Sequence, residues 1–267
     1  MAKFDGPFQF DGSMGGMNFY YNKVLKRWIA RKNGGASKKQ IETSPSLARI
    51  RENMSEFGAC NELCGLFRKS LLDLDHLNYG YYMGDVVKKF KIVQLMDPEG
   101  DRGHRNIEFS QHKSILTDIN FNEQHPFNQV VMRHPEVITD DERQTVMVNL
   151  PQFYPRKELI WRKPYSFYRF TVTIAQLSDY KWNELHKAYE IVHTGLDNRS
   201  VTVYSDWLLV GTNADDISLA ASFADNAIPP SDATVMVAQG VEFATMLSNK
   251  TISWTKGDGT MKILDCL

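Results

Sequence analysis

Residues 44–74 read SPSLARIRENMSEFGACNELCGLFRKSLLDL, and their spacing predicts one long amphipathic helix. Ser44 suits an N-cap, and Pro45 suits the first helical position, where a missing N–H costs nothing. Apolar or small residues recur every three or four positions, which places them on one stripe of the helix. We expect this stripe to be buried against its own domain or against a neighbouring copy. The stripe comprises Leu47, Ile50, Met54, Phe57, Cys60, Cys64, Phe67, Leu71 and Leu74.

The segments on either side of this helix predict a β-hairpin and a second helix. A glycine-rich arm over residues 1–16 precedes two short strands at 17–21 and 28–31, which we expect to pair. Apolar spacing predicts another helix over 79–95. Residues 75–78 interrupt the pattern, so the two helices should pack as a helical hairpin.

From residue 104 onward the apolar pattern changes to period two, as in Phe170, Val172 and Ile174. Many short strands of this kind predict an antiparallel β-sandwich of immunoglobulin-like or jelly-roll-like type. The fold class is therefore α+β, with an N-terminal arm and β-hairpin over 1–43, a helical hairpin over 44–96 and a β-sandwich over 104–267. The candidate strands are 115–121, 129–133, 145–150, 167–177, 189–193, 200–204, 217–223, 234–238, 241–246 and 261–264.

Composition and charge exclude some functional classes. The chain has 267 residues, a net charge of −1 and 42% apolar residues, as in ordinary soluble folded proteins. Such a net charge gives no overall field that attracts nucleic acid or an anionic membrane. We find no apolar run long enough to span a bilayer and no signal peptide. We therefore expect no membrane insertion and a location in the cytoplasm or in a virion-like particle.

Catalytic and metal-binding motifs are missing from the sequence. It has no Gly-x-Ser-x-Gly, no His-Glu-x-x-His and no phosphate-binding glycine loop. The three cysteines are odd in number, and we expect them to be reduced thiols. Scattered histidines and the acidic turn at 140–142 are better explained as surface or structural residues than as metal ligands. We predict that the protein is not an enzyme and has no catalytic residues, no metal site and no cofactor.

The segment 23–51 is locally basic and includes aromatic residues. Basic and aromatic side chains on a hairpin can bind single-stranded nucleic acid through phosphate contacts and stacking. A solvated hairpin with a few buried rings explains the same pattern. The candidate nucleic-acid contacts are Lys23, Lys26, Arg27, Arg31, Lys32, Lys38 and Lys39.

A second aromatic run lies in the predicted sandwich, near several basic residues. Exposed aromatic residues beside arginine are typical of protein interfaces. They can also form a platform for a carbohydrate or another ligand, and we keep that alternative. The run comprises Trp161, Tyr165, Phe167, Tyr168 and Phe170.

Three motifs together resemble a group of uncharacterised proteins of similar length from Bacteroidota genomes. They are RKNGG at residues 31–35, SPSLARIRENMSEFG at 44–58 and GVEF at 240–243. Cys60 and Cys64 depart from the group, in which small or aliphatic residues are usual there. The resemblance implies the same architecture and a bacterial or bacteriophage source, and it brings no established activity.

These observations favour a non-enzymatic structural protein that assembles with itself, in a phage or phage-like particle. An N-terminal arm exchanged between subunits is a common way to tie copies together. The expected partners are further copies of the chain or other structural proteins, with nucleic acid as an alternative partner. The residues that we expect to contact partners are Phe8, Phe10, Tyr20, Tyr21, Trp28, Arg49 and Arg51.

Overall fold

The structure is a computed structural model that describes residues 2–3, 11–80, 82–196, 199–224, 228–248, 251–253 and 255–267. It confirms the predicted α+β class: an N-terminal hairpin sheet, a long helix and several antiparallel sheets, with more strand than helix. The chain divides into two compact units, residues 1–51 and residues 52–267. The three-part division at residues 43 and 96 stays a prediction.

The first unit contains a four-stranded antiparallel sheet in the order β1-β4-β3-β2. The predicted hairpin is its centre, where Tyr20 lies opposite Ile29 and Tyr21 lies opposite Trp28. The turn between them places Lys26 at a φ of 47°, in the left-handed region. The strands are β1 (Ala2–Lys3), β2 (Gly12–Met14), β3 (Met17–Asn22) and β4 (Arg27–Lys32).

A short helix that we did not predict, α1 (Lys38–Thr43), follows this sheet. Its start is a capping box: Gln40 N donates to Ser37 Oγ (3.3 Å), and Ser37 N donates to Gln40 Oε1 (2.8 Å). The Ser-x-x-Gln spacing was readable from the sequence. Capping satisfies the first backbone donors of a helix that would otherwise be too short to persist.

The long helix is present as α2 (Ala48–Ser70), between a 3-10 turn at Pro45–Leu47 and a 3-10 segment at Leu72–Leu77. Ser44 precedes the first turn as predicted, but its side chain makes no capping hydrogen bond. The predicted second helix is α3 (Tyr82–Leu95). Further short turns lie at Phe109–Gln111, Lys113–Ile115, α4 (Phe127–Val130) and α5 (Pro155–Glu158).

The rest of the second unit is built from antiparallel strands. One sheet has β7 and β13 at its centre and β10, β11, β14 and β15 beside them, and another has the order β12-β6-β5. The strands are β5 (Glu136–Thr139), β6 (Thr145–Phe153), β7 (Phe167–Ser178), β8 (Tyr180–Asn183), β9 (Ala188–Ile191), β10 (Ser200–Tyr204), β11 (Leu208–Leu209), β12 (Ala214–Ser222), β13 (Ala233–Ser248), β14 (Thr251–Ser253) and β15 (Gly259–Cys266).

Within this unit the large sheet is buried on both faces. Phe170, Val172 and Ile174 of β7 share a core with β6 and β12, which makes the two sheets a sandwich-like pair. Ala175 and Leu177 of the same strand share a second core with α2 and α3. The helices are therefore a third layer on the sandwich, and alternate positions of β7 meet different partners.

Two predicted strands are wrong, and two others, 234–238 and 241–246, are parts of the single strand β13. Residues 129–133 overlap α4, because Phe127, Val130 and Val131 are buried at helical spacing. Residues 115–121 contain the end of a 3-10 turn and one isolated bridge, at Asn120, and Asp118 has a φ of 63°, which ends any extended run. Both segments are apolar because they pack into cores, and apolar content alone does not distinguish a strand from a buried turn.

Candidate functional site

The apolar stripe of α2 is buried along only part of its length. Cys60, Cys64 and Phe67 are buried in the core shared with the sheet. Met54 and Phe57 remain 58% and 55% exposed. Exposed apolar side chains at consecutive turns of one helix are typical of an interaction surface.

The exposed part of the stripe borders a groove between α2 and α3. We call this surface the helical face; it comprises Met54, Phe57, Asn61, Met83, Gly84, Val87, Lys88 and Lys91. The groove encloses ≈ 460 Å³. Met83 and Val87 form its apolar wall and pack on the core beneath. A Cβ atom added at Gly84 would meet nothing within 4 Å, so the glycine leaves the groove open at that point.

The charged residues at the rim of the helical face are already paired within the chain. Lys88 Nζ donates to Asp85 Oδ1 (2.7 Å). Lys91 Nζ turns inward, where it donates to Glu56 Oε2 and to Gln94 Oε1 (2.8 Å). The accessible centre of the groove is therefore apolar, and a ligand with apolar side chains suits it better than an ionic one.

Glu56 lies under the helical face and connects the elements that form it. Its carboxylate is buried and also accepts the Gly103 backbone N–H (2.8 Å), with Arg105 3.7 Å away. Burial alone would raise the pKa of Glu56, but Lys91, Gly103 and Arg105 outweigh it and lower the pKa below its ordinary value. The ionised side chain ties α2, α3 and the loop after α3 together.

The predicted partner contacts lie mainly in the first unit. Tyr21 is exposed and meets Trp28 edge to face, with ring centroids 5.6 Å apart. Tyr20 is half-buried, and the Arg31 guanidinium lies 5.8 Å from its ring centroid. Phe8 and Phe10 lie outside the described residues.

The two arginines predicted to contact partners differ in their surroundings. Arg49 is exposed, whereas Arg51 is half-buried and donates from Nη1 to Ile41 O (2.7 Å) and Ser44 O (2.8 Å). Arg51 thereby connects α1 to the start of α2 within the first unit. The candidate nucleic-acid contacts are all exposed: Lys23, Lys26, Arg27, Arg31, Lys32, Lys38 and Lys39.

A buried ionic cluster in the second unit was not predicted. Glu242 is 1% exposed, and its Oε1 accepts from His76 Nε2 (2.8 Å) while its Oε2 accepts from Arg169 Nε (2.7 Å). The Arg169 guanidinium lies 4.5 Å from the Tyr204 ring centroid and 4.6 Å from that of Trp207. The cluster fixes the 3-10 segment Leu72–Leu77 on the large sheet.

The second aromatic run contributes mostly to the core. Phe167, Tyr168 and Phe170 are buried, and Trp161 stacks on Phe243 with centroids 4.7 Å apart. The cavity beside Trp161 measures ≈ 40 Å³. A cavity of that size holds a few water molecules rather than a sugar ring.

The thiols offer no reactive group. Cys60, Cys64 and Cys266 are free and buried, and burial raises their pKa values to about 12, 11 and 12. Thiols of this kind are protonated at neutral pH and are poor nucleophiles. In the described part of the chain, no three His, Cys, Asp or Glu side chains are grouped so that they could hold a metal ion.

Some residues of these sites have a local sequence signal and others have none. The helical spacing identifies Met54 and Phe57 as stripe residues. Their exposure, however, depends on how far the core that packs against α2 extends along the helix. Glu242 stands in the GVEF motif, whereas its partners His76 and Arg169 are far away in sequence and carried no signal.

Among the described residues, no helix is long and apolar enough to cross a membrane. Comparisons with protein-family models, with curated proteins and with solved structures found no match, and the resemblance to Bacteroidota proteins stays a prediction.

Proposed function

We propose that this protein is a non-enzymatic structural protein that assembles with itself through the helical face. The observation that supports the proposal most strongly is the exposure of Met54 and Phe57 on a helix whose apolar stripe is buried from Cys60 onward. Leaving large apolar side chains in water forgoes about 1.5–3 kcal/mol for each one that a partner would bury.

A second copy is the occupant that we propose for the groove. The same face carries a projecting ring, Phe57, and an open apolar groove with Gly84 exposed in it. A twofold interface brings identical patches together, so a ring and a groove on one patch can complement each other reciprocally. In the proposed dimer, each Phe57 enters the groove of the partner copy.

The substitution Phe57→Glu tests this interface. A buried aromatic residue at an interface centre contributes about 2 kcal/mol or more, and a twofold interface loses it twice. We therefore expect the dissociation constant to rise about 1,000-fold. Sedimentation velocity over a wide concentration range measures the change.

The matched control is Leu185→Glu. Leu185 is 84% exposed in the turn between β8 and β9, so the control adds the same charge away from the helical face. We expect this variant to assemble like the wild type. A wild-type chain that stays monomeric throughout, or equal effects of both substitutions, would refute the proposal.

Gly84→Trp provides a second variant that separates assembly from folding. A Cβ atom added at Gly84 has nothing within 4 Å among the neighbouring residues that the structure describes, so α3 should form normally. The indole would instead fill the groove. We expect an unchanged circular dichroism spectrum together with loss of the assembly.

We also propose that the assembly is part of a phage or phage-like particle. The support is the motif resemblance, which implies a bacterial or bacteriophage source. Because a twofold dimer is closed, a particle requires a further contact between dimers. Negative-stain electron microscopy of concentrated protein tests for it: dimers joined into rings, tubes or shells are expected, and only isolated dimers would contradict this second proposal.

A further inference from the structure

The charges of this chain are separated between its two units. Residues 1–51 contain 10 Lys and Arg and 3 Asp and Glu, a net charge of +7, whereas residues 52–267 contain 21 and 29, a net charge of −8. The overall charge of −1 therefore conceals a strongly basic N-terminal unit. Such asymmetry is typical of chains with one polyanion-binding part.

The basic residues of the hairpin are available to a ligand. Lys23, Lys26, Arg27 and Arg31 are exposed and form no ion pair with any residue that the structure describes. In contrast, Lys38 forms an ion pair, with its Nζ 3.9 Å from Glu42 Oε1. Unpaired cations can neutralise the phosphates of a nucleic acid and release the counterions condensed on it, and this release supplies a large share of the affinity.

The register of the hairpin places two arginines and a ring on one side. Asn18 lies opposite Arg31, Tyr20 opposite Ile29, and Asn22 opposite Arg27. Side chains of alternate residues share a face, so Tyr20, Arg27 and Arg31 lie together. We call this side, with Asn18, the arginine face; Ile29, opposite Tyr20 on the same side, is buried, so the accessible part of the face is formed by the two arginines and the edge of the Tyr20 ring. Lys32 projects from the opposite face of the same strand.

We propose that the arginine face binds single-stranded nucleic acid. Arg27 and Arg31, about 13 Å apart along β4, bind two phosphates of one strand that are not adjacent. A base stacks on the exposed part of the Tyr20 ring, beside the Arg31 guanidinium that lies 5.8 Å from the ring centroid. A single strand suits the face because its bases are free to stack on a protein ring, whereas those of a duplex are not. The net negative charge of residues 52–267 confines the contact to the N-terminal unit.

Fluorescence anisotropy of a labelled oligo(dT) strand with the full-length protein tests the proposal. We expect saturable binding that weakens as salt increases. Arg31→Gln should reduce the affinity and lower the slope of log K against log salt by about 0.7, the share of one phosphate contact. Tyr20→Ser should reduce the affinity roughly 5- to 150-fold, whereas Tyr20→Phe, which retains the ring, should bind like the wild type.

Lys32→Gln is the matched control, because it removes one charge from the neighbouring residue on the other face. It should leave the affinity within about twofold of the wild type if contact is confined to the arginine face. Three results would overturn the proposal: no anisotropy change at low salt, equal losses for Arg31→Gln and Lys32→Gln, or competition by polyglutamate as effective as that by unlabelled oligo(dT). The last result would identify an acidic protein surface as the ligand.

Discussion

At the scale of single residues, Glu242 shows how a buried charge is retained. Burial raises the pKa of its carboxyl group, but hydrogen bonds and charges from His76 and Arg169 outweigh burial and lower the pKa below 4.5. A carboxyl group whose pKa is lower in the folded state stabilises the fold fully at every pH above the pKa that the group has in the unfolded chain. The contribution is lost as the pH falls through the lower, folded value.

We expect Glu242→Gln to destabilise the protein by about 2–4 kcal/mol at neutral pH, because it leaves Arg169 partly buried without a counter-charge. Urea unfolding at several pH values measures this. The difference between wild type and variant should be full above pH 4.5, the ordinary Glu value, and should shrink below it.

A control for this prediction is Glu190→Gln. Glu190 also accepts a hydrogen bond from a histidine, His186, but on the exposed surface. Its removal should leave the unfolding free energy essentially unchanged. A pH-independent difference between wild type and Glu242→Gln would show that the carboxylate charge is not what stabilises the cluster.

At the scale of elements, the segment after α2 is positioned by glycine in two strands of the sheet. A Cβ atom on Gly240 would lie 2.6 Å from both Leu77 Cδ1 and Thr171 Oγ1, and one on Gly259 would lie 2.5 Å from Leu77 Cδ2. The two glycines therefore form a notch that receives Leu77. Glu242, two residues after Gly240 on the same side of β13, binds His76. The GVEF motif thus positions the segment Leu72–Leu77 through two contacts, one from Gly240 to Leu77 and one from Glu242 to His76.

We expect Gly240→Ala to destabilise the protein by about 1–3 kcal/mol, since the added methyl group must displace Leu77 or Thr171. Thermal and urea unfolding measure the change. Gly65→Ala in α2 is the control: nothing lies within 4 Å of its added Cβ, so it should stabilise the helix by up to about 1 kcal/mol. Equal changes in the unfolding free energy for the two substitutions would show that Gly240 is not needed to accommodate Leu77.

At the scale of the whole molecule, stability in the second unit is concentrated in the sheet that lies between two cores. Strands β7 and β13 have a core on each side, whereas β5, among the residues that the structure describes, lies at the edge of its sheet and pairs with β6. Amides that exchange only by global opening lie where burial is deepest.

Hydrogen–deuterium exchange with mass spectrometry should therefore find the slowest exchange in β7 and β13. Faster exchange is expected in β5 and β12. The experiment uses a non-assembling variant such as Phe57→Glu, so that contacts between copies do not slow the exchange of surface amides. Protection that is greatest in β5 or β12 would mean that the large sheet does not form the stable centre of this unit.

Local sequence predicted the longer helices and strands, because their periodic patterns extend over enough residues to be recognised, whereas short elements such as α1, β5 and β8 were missed. The hairpin, both long helices and strands such as β10 follow from periodicity and turn residues. The wrong strands at 115–121 and 129–133 are apolar segments whose conformation is set by the surfaces they cover. For the helical face, periodicity identified Met54 and Phe57, but it carried no information on where the covering core ends.

The sequence alone determined the α+β class, the hairpin, the long amphipathic helix and the basic character of residues 23–51, because these depend on spacing and charge within short segments. Only the tertiary structure decided that the helices cover a sheet already buried on its other side, that Glu242 meets His76 and Arg169, and that Phe57 stays exposed. Those outcomes depend on contacts between residues distant along the chain, and such contacts are selected by packing, which no local pattern encodes.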